Sequence, residues 1–353
     1  MERKLKVGII GAGWIANHHI YGYITSNRAE IVAISDVKEE TAREIMNKYG
    51  LNCKFYKNYL DLLSDSEVEA VSICAPNKFH TEITVAAAEH KKDILCEKPF
   101  VSSIDDAISS YRAIKKNGVK CAVGYHRRFN PLYQEMKKLK KEGKLGNIYF
   151  CQSDYVHHVP MSMPIMKWAL KKEFNPCAFH AGAGHCVDTL RYLIGSEIIE
   201  CAAFMGTESC PGHESQAEAV AIYKFANGAI GKVMQIAPSP IANFEFNVEV
   251  YGTKGTFKNN KLLLDTFPNF WEPENAKAVV TYPDWIPNNT RGITEPWDVE
   301  IHKFVDWILS GKDETDLCLA IDAIKVAEAC WAAVRSAEEG KFIKLPLINY
   351  NEI

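Results

Sequence analysis

The stretch Val7-Gly8-Ile9-Ile10-Gly11-Ala12-Gly13-Trp14-Ile15-Ala16 lies almost at the start of this 353-residue chain and reads as strand, glycine turn and helix. Gly11, Gly13 and Ala16 stand in G-x-G-x-x-G/A order. The first glycine makes the tight turn, the second leaves the backbone open to close approach, and the small third residue lets the helix pack on the strand. The N–H groups at the helix start then form an anion site suited to a pyrophosphate. A second strand-like run, Glu30 to Ile34, leads to Asp36, about 20 residues past the last small residue, where an acid takes ribose hydroxyls. Gly11, Gly13, Trp14, Ile15 and Asp36 are therefore the expected cofactor residues. A carboxylate at Asp36 repels a 2′-phosphate, which favours NAD; Lys38, just past Val37, leaves NADP open. A turn aspartate with no ligand is the plainer reading of Asp36.

The first third of the chain keeps one rhythm. Strand-like runs at 6–10, 31–34, 70–74, 93–96 and 120–123 alternate with helical patterns at 15–26, 39–49, 80–89 and 104–117. Such alternation predicts a doubly wound parallel sheet of the Rossmann type. From about Tyr125 longer β-like runs follow one another, at 148–157, 198–205, 217–225, 229–236 and 244–251. Turn signals such as Ala226-Asn227-Gly228 separate them, which predicts an antiparallel meander in an α+β unit. One helix is expected inside it at about 184–194, and two more, at about 297–309 and 317–338, close the chain. The Pro- and Asn-rich stretch 265–291 reads as a long surface excursion. The expected division is 1–124 for dinucleotide binding and 125–353 for substrate binding and oligomerisation, with the C-terminal helix a candidate to pack back on the first domain.

Composition narrows the partners. A net charge of -3 gives no electrostatic case for nucleic acid or an anionic membrane. No apolar run approaches the ~20 residues of a membrane span. The polar start Met1 to Lys6 leads into the first strand, so a cytoplasmic protein without a signal peptide is expected. Eleven scattered cysteines form no C-x-x-C pair and read as buried, reduced thiols.

Four further motifs carry a resemblance: Ala75-Pro76-Asn77-x-x-His80; Leu95-Cys96-Glu97-Lys98-Pro99-Phe100; Gly124-Tyr125-His126-Arg127-Arg128-Phe129-Asn130-Pro131; and His185-Cys186-Val187-Asp188-x-x-Arg191-Tyr192-Leu193. With the glycine turn, they make the chain resemble the Gfo/Idh/MocA oxidoreductases, the group of glucose–fructose oxidoreductase and inositol dehydrogenase. The resemblance covers most of the chain and is strongest through Pro131. It implies an N-terminal Rossmann domain and a C-terminal domain on a large, mostly antiparallel open sheet. It also implies a homodimer or homotetramer through that sheet. The implied reaction is oxidation or reduction of a secondary alcohol of a sugar, cyclitol or derivative with NAD or NADP, without a metal. Ala75, Asn77, His80, Glu97 and Arg127 join the cofactor residues on the same ground.

Oxidising an alcohol needs a hydride acceptor, which the cofactor supplies, and a group to take the proton. Lys98 matches the family's lysine at the reacting oxygen, where an ammonium stabilises a developing alkoxide; a surface lysine paired with Glu97 is the plainer alternative. His185 matches the family's histidine. It shares a helix face with Asp188 at i, i+3, and its pKa suits a proton shuttle. Relatives commonly carry an aspartate four residues before that histidine; this chain has Ala181 there. His180, one residue earlier, is the candidate substitute, or else a loop histidine bonded to backbone. Tyr125, His157, Trp168 and Asp188 are expected at the substrate. Two other outcomes fit the same fold: a glycoside hydrolase that uses NAD without net redox change, and a dinucleotide-binding sensor.

Overall fold

The computed structural model describes residues 3–158, 170–210, 212–238, 245–258, 261–264, 279–281, 296–313 and 315–351. The chain divides into two units: residues 1–126, 296–327 and 349–353 form the first, and residues 127–295 and 328–348 the second. The single cut expected after residue 124 is thus replaced by an interleaved division. The segment beginning at Pro296, expected in the second domain, belongs to the first.

In the first unit, β1 (Leu5–Ile10), β2 (Ala29–Ser35), β3 (Lys54–Tyr56), β4 (Ala70–Ile73), β5 (Asp93–Cys96) and β6 (Cys121–Val123) run parallel in the order β6-β5-β4-β1-β2-β3. This is the doubly wound order, and its direction reverses between β1 and β4. A short strand, β15 (Cys318–Leu319), adds antiparallel to β6. The strands are near-continuous apolar runs because both faces are covered: Val7, Ile9, Val71, Ile73, Ile94 and Leu95 are all buried. Helices α1 (Ala16–Ser26), α2 (Glu39–Tyr49), α3 (Tyr59–Ser64), α4 (His80–Glu89) and α5 (Ile104–Asn117) connect them. Helix α5 shows how local sequence sets the ends. The Ser103 hydroxyl accepts the Asp106 N–H at 3.1 Å, Asp105 and Asp106 occupy the first turn, and Lys115 and Lys116 the last. Gly118 then ends the helix in the left-handed region at φ 65°.

Helix α1 is covered by a helix from far along the chain, Trp297–Ser310. The two meet at Gly22, where an added Cβ would lie 2.6 Å from Ile301, so only a glycine admits the approach. Thr25 bonds His302 at 3.0 Å, and Arg28 pairs with Asp306.

The second unit is built on nine strands among the described residues. They are β7 (Ile148–Val156), β8 (Ile198–Gly206), β9 (Glu218–Phe225), β10 (Ile230–Ile236), β11 (Glu245–Gly252), β12 (Gly255–Lys258), β13 (Lys261–Leu264), β14 (Val279–Thr281) and β16 (Ile343–Lys344). Their order is β14-β13-β12-β11-β7-β10-β9-β8-β16. Neighbours are antiparallel except β7 and β10, which run parallel at the centre, so the expected meander is broken there. After β7 the chain leaves the sheet through a helix before β8 begins, and β10 returns beside β7 in the same direction. Strand β14 falls inside the stretch expected to be a surface excursion; the rest of that stretch lies outside the described residues.

Among the described residues two α-helices of this unit precede β8: α6 (Pro131–Lys141) and α7 (Ala178–Ile194). Helix α6 starts where Asn130 accepts the Leu132 N–H at 2.9 Å with Pro131 in the first turn. Helix α7 begins two turns earlier than its expected start near 184. It is buried along almost its whole length against β7 and β10. The two closing helices are α8 (Trp297–Ser310) and α9 (Ala320–Glu339). No helix among the described residues is long and apolar enough to cross a membrane.

Candidate active site

The first unit gathers its site residues along the carboxyl ends of the parallel strands, the edge where such sheets take ligands. Gly11 and Gly13 follow β1, Asp36 follows β2, Ala75 and Asn77 follow β4, Glu97 and Lys98 follow β5, and Tyr125 follows β6. Gly11 has φ 93°, and a Cβ there would meet the Cys74 carbonyl and the Ala75 N–H at 2.8 Å. Gly13 has nothing within 4 Å of its Cβ position. One glycine is required by the packing, and the other leaves open the space a diphosphate needs.

Asp36 binds the turn itself. One carboxylate oxygen accepts the Ala12 N–H and the other the Lys38 N–H, both at 2.8 Å. It remains half-buried, as a ribose-binding acid must be. These features fit a dinucleotide: an open backbone turn at a helix start and an acid at the end of the neighbouring strand on the same edge.

Four aromatic rings flank the turn. Trp297, at the start of α8, stacks on His18 at 4.0 Å and lies 4.5 Å from His126 and 6.0 Å from Trp14. Trp14 also meets His18 edge-on at 4.8 Å and stays 65% exposed. Trp297 is nearly 300 residues away in sequence and carried no signal.

His80 has both ring nitrogens 2.8 Å from backbone carbonyls, Nδ1 from Pro99 and Nε2 from Ala75. Burial pushes its imidazole below the usual value against the pull of those carbonyls. Expected at the cofactor, it spans the loops after β4 and β5 through these two contacts. Tyr125, expected at the substrate, is buried in the core of the first unit at 1% exposure. Ile15 is half-buried and immediately precedes α1.

In the second unit, α7 carries His180, His185 and Asp188, all buried. Cys177 caps the helix, its sulfur accepting the His180 N–H at 3.3 Å. His180 is therefore a first-turn helix residue and not a loop histidine, and its ring meets Trp331 edge-on at 6.2 Å. His185 lies two turns inside the helix, not at its start. Asp188 receives Arg128 Nε at 2.8 Å and Nη2 at 2.6 Å, a bidentate pair buried on both sides. Asp188, expected at the substrate, is thus held by Arg128 through both carboxylate oxygens.

His157 follows β7, where its Nδ1 lies 2.8 Å from the Tyr155 hydroxyl. Its N–H donates to Ile236 at the end of β10. Gln235 accepts the Ala183 N–H of α7 at 2.9 Å. His157, Tyr155, Gln235 and the first turns of α7 thus collect at one end of the second sheet. Arg127 is buried. Trp168 lies outside the described residues. Among the described residues no group of three His, Cys, Asp or Glu side chains is placed to hold a metal.

The comparison with known sequences decides the family. Residues 5–125 match the oxidoreductase family, NAD-binding Rossmann fold, of Gfo/Idh/MocA proteins, and residues 133–258 match the Gfo/Idh/MocA C-terminal domain. The chain belongs to the Gfo/Idh/MocA family. It is an NAD-dependent oxidoreductase with the Rossmann and mostly antiparallel domains of that family. It is 26% identical to the scyllo-inositol 2-dehydrogenase (NAD(+)) of Bacillus subtilis, over 98% of this chain and 97% of that one. It is 28% identical to the myo-inositol 2-dehydrogenase of Thermotoga maritima, over 71% and 74%. A levoglucosan dehydrogenase in complex with NADH superposes with a TM-score of 0.86 at 25% identity, over 98% of this chain and 100% of that chain.

Proposed function

We propose that this protein oxidises or reduces a secondary hydroxyl of a sugar, cyclitol or related polyol. The observation that carries the reading is the position of Lys98 at the carboxyl end of β5, on the same sheet edge as Gly11, Gly13 and Asp36. The named activities of its relatives, on inositols and levoglucosan, support the substrate class. NAD, when bound, supplies the hydride acceptor. Lys98 is assigned to the reacting oxygen, where its ammonium favours the alkoxide. His185 is assigned the proton, with His180 its second on the same helix. His157 is assigned to substrate hydroxyls.

The test is NADH absorbance during incubation of nucleotide-stripped protein with NAD and a panel of inositols, aldoses, anhydrosugars and sugar phosphates. Turnover on one class is expected, lost by about 10²–10³-fold in Lys98→Met with NAD affinity kept. Sugar release without NADH would replace this reading by the redox-neutral glycosidase.

We also propose that two or four copies assemble through the outer face of the second sheet. Along β9, Val220 and Ile222 are exposed and alternate with the buried Ala219, Ala221 and Tyr223. Phe204, paired with Val220 across β8 and β9, is 86% exposed. Bare apolar rows on a strand face mark an interface. Phe204→Glu is expected to lower the mass measured by light scattering; a wild type that is already monomeric would refute the assembly.

A further inference from the structure

Beneath the Lys98 turn the first unit buries a connected set of polar side chains. His19 and Ser72 are fully buried, Tyr23 is 1% exposed and Glu97 5%. Tyr23 bonds Ser72 at 2.8 Å, Ser72 bonds His19 Nδ1 at 2.9 Å, and His19 Nε2 meets Glu97 Oε1 at 3.1 Å. The other Glu97 oxygen accepts the Lys98 N–H at 3.1 Å. Between α1 and a parallel sheet the ordinary filling is apolar. An imidazole and a carboxylate placed there cost stability unless they pair.

The surroundings favour the charged pair. Burial raises Glu97, but the His19 bond and charge, with Lys98 and His126 beyond, outweigh it and hold Glu97 below the usual range. Burial lowers His19, but Cys74 and Glu97 together lift it well above its ordinary value. The groups facing the pair are Ser72 and Cys74 from β4 and its end, Tyr23 from α1, and Lys98 and His126 from the loops after β5 and β6; Glu300 of α8 acts on Tyr23. Gly124 completes the enclosure, since a Cβ there would lie 2.9 Å from Glu97 Oε1.

We propose that His19 and Glu97 are a positioning pair for Lys98: the imidazolium anchors the carboxylate, and the carboxylate fixes the lysine backbone and strengthens its hold on its proton. The proposal rests on the reading that Lys98 meets the reacting oxygen. Neither His19 nor Glu97 touches substrate in it.

The test is competitive acetylation of Lys98 across pH, read by mass spectrometry on the full chain without cofactor or substrate. Glu97→Gln is expected to lower the half-labelling pH of Lys98 by about one unit, as loss of a nearby opposite charge does. Glu97→Asp, which keeps the charge, is expected to restore most of it. The double variant His19→Gln/Glu97→Gln puts two neutral amides in place of the pair. It covers the case in which the single variant fails to fold, and its labelling curve also moves down. In the folded Glu97→Gln and double variants turnover falls about tenfold or more and the pH limb governed by Lys98 shifts with the labelling curve, whereas Glu97→Asp keeps most of the turnover and of the pH profile. A labelling curve unmoved in every folded variant overturns the pair's role, whatever the protein does to polyols. A moved curve in a protein silent toward every polyol upholds the pair and removes the polyol reading.

Discussion

Asp36 is tied to Ala12 by a 2.8 Å hydrogen bond, so the acid at the end of β2 also shapes the turn after β1. Its other oxygen holds Lys38 N–H. Asp36→Ala removes the acceptor of two backbone donors and the carboxylate proposed to meet the ribose. Hydrogen bonds to charged groups are worth about 1.5–3 kcal/mol, so the NAD dissociation constant is expected to rise about 10–100-fold. NADP loses less, because the repulsion of its 2′-phosphate goes as well. Calorimetric titration with both nucleotides measures the ratio; an unchanged NAD affinity would remove Asp36 from the site.

Gly11 and Gly13 are expected to fail differently. Gly11→Ala forces a side chain into a φ of 93° and against the Cys74 carbonyl. A strained backbone of this kind costs about 1–3 kcal/mol, so the melting temperature falls. Gly13→Ala has room for its methyl in the ligand-free protein, so stability holds and NAD binding is lost. Thermal melts with and without NAD separate the two; equal destabilisation by both would contradict the assignment.

Breaking the Arg128–Asp188 pair from one side takes the opposite charge away from a buried one. Asp188→Leu is expected to cost about 3–5 kcal/mol, whereas Arg128→Leu with Asp188→Leu recovers most of it. Denaturant unfolding of the four proteins gives the coupling. If Asp188→Leu were as stable as the parent and lost only substrate affinity, the pair's structural role would be refuted in favour of a substrate contact.

Asp65 makes stability sensitive to acid. The Lys54 ammonium first, then the Glu67 N–H and the Tyr56 hydroxyl, lower its carboxyl to about 2 against the opposing effect of burial. A carboxyl lowered in the folded state adds stability above its unfolded pKa of about 3.9 and loses it as pH falls toward the folded value. Asp65→Asn is expected to be about 1–2 kcal/mol less stable at pH 7, with the gap closing between about pH 4 and pH 2. Urea unfolding across that range tests it; a gap independent of pH would assign the loss to packing.

What the sequence disclosed was local in origin. The β1 turn, the alternation through β6 and the ends of α4 and α5 each rest on residues within a few positions of one another. The start of α7 escaped because Cys177 is an unusual cap and its first turns are rich in small residues. Helix α6 escaped although Asn130 and Pro131 spell a helix start. Strands β3, β15 and β16 are two or three residues long, too short for periodicity to register. Arg128–Asp188, His19–Glu97 and His18–Trp297 join residues 60 to 279 positions apart, and no pattern along one chain reveals which partner a buried charge will find. Family likeness supplied Lys98 and His185, while the pairing of Asp188 with Arg128 is visible only in the folded chain.

The contact of Gly22 with Ile301 bears on how this molecule can be dissected. A fragment ending near His126 contains all six parallel strands and looks complete on paper. It would still expose the α1 groove that Ile301 fills, together with Thr25 and Arg28, whose partners lie on α8. Neither unit is one continuous stretch of polypeptide. Ribosomal synthesis therefore delivers the nucleotide-binding half unfinished, and its last supporting helix emerges only after most of the second sheet has been made.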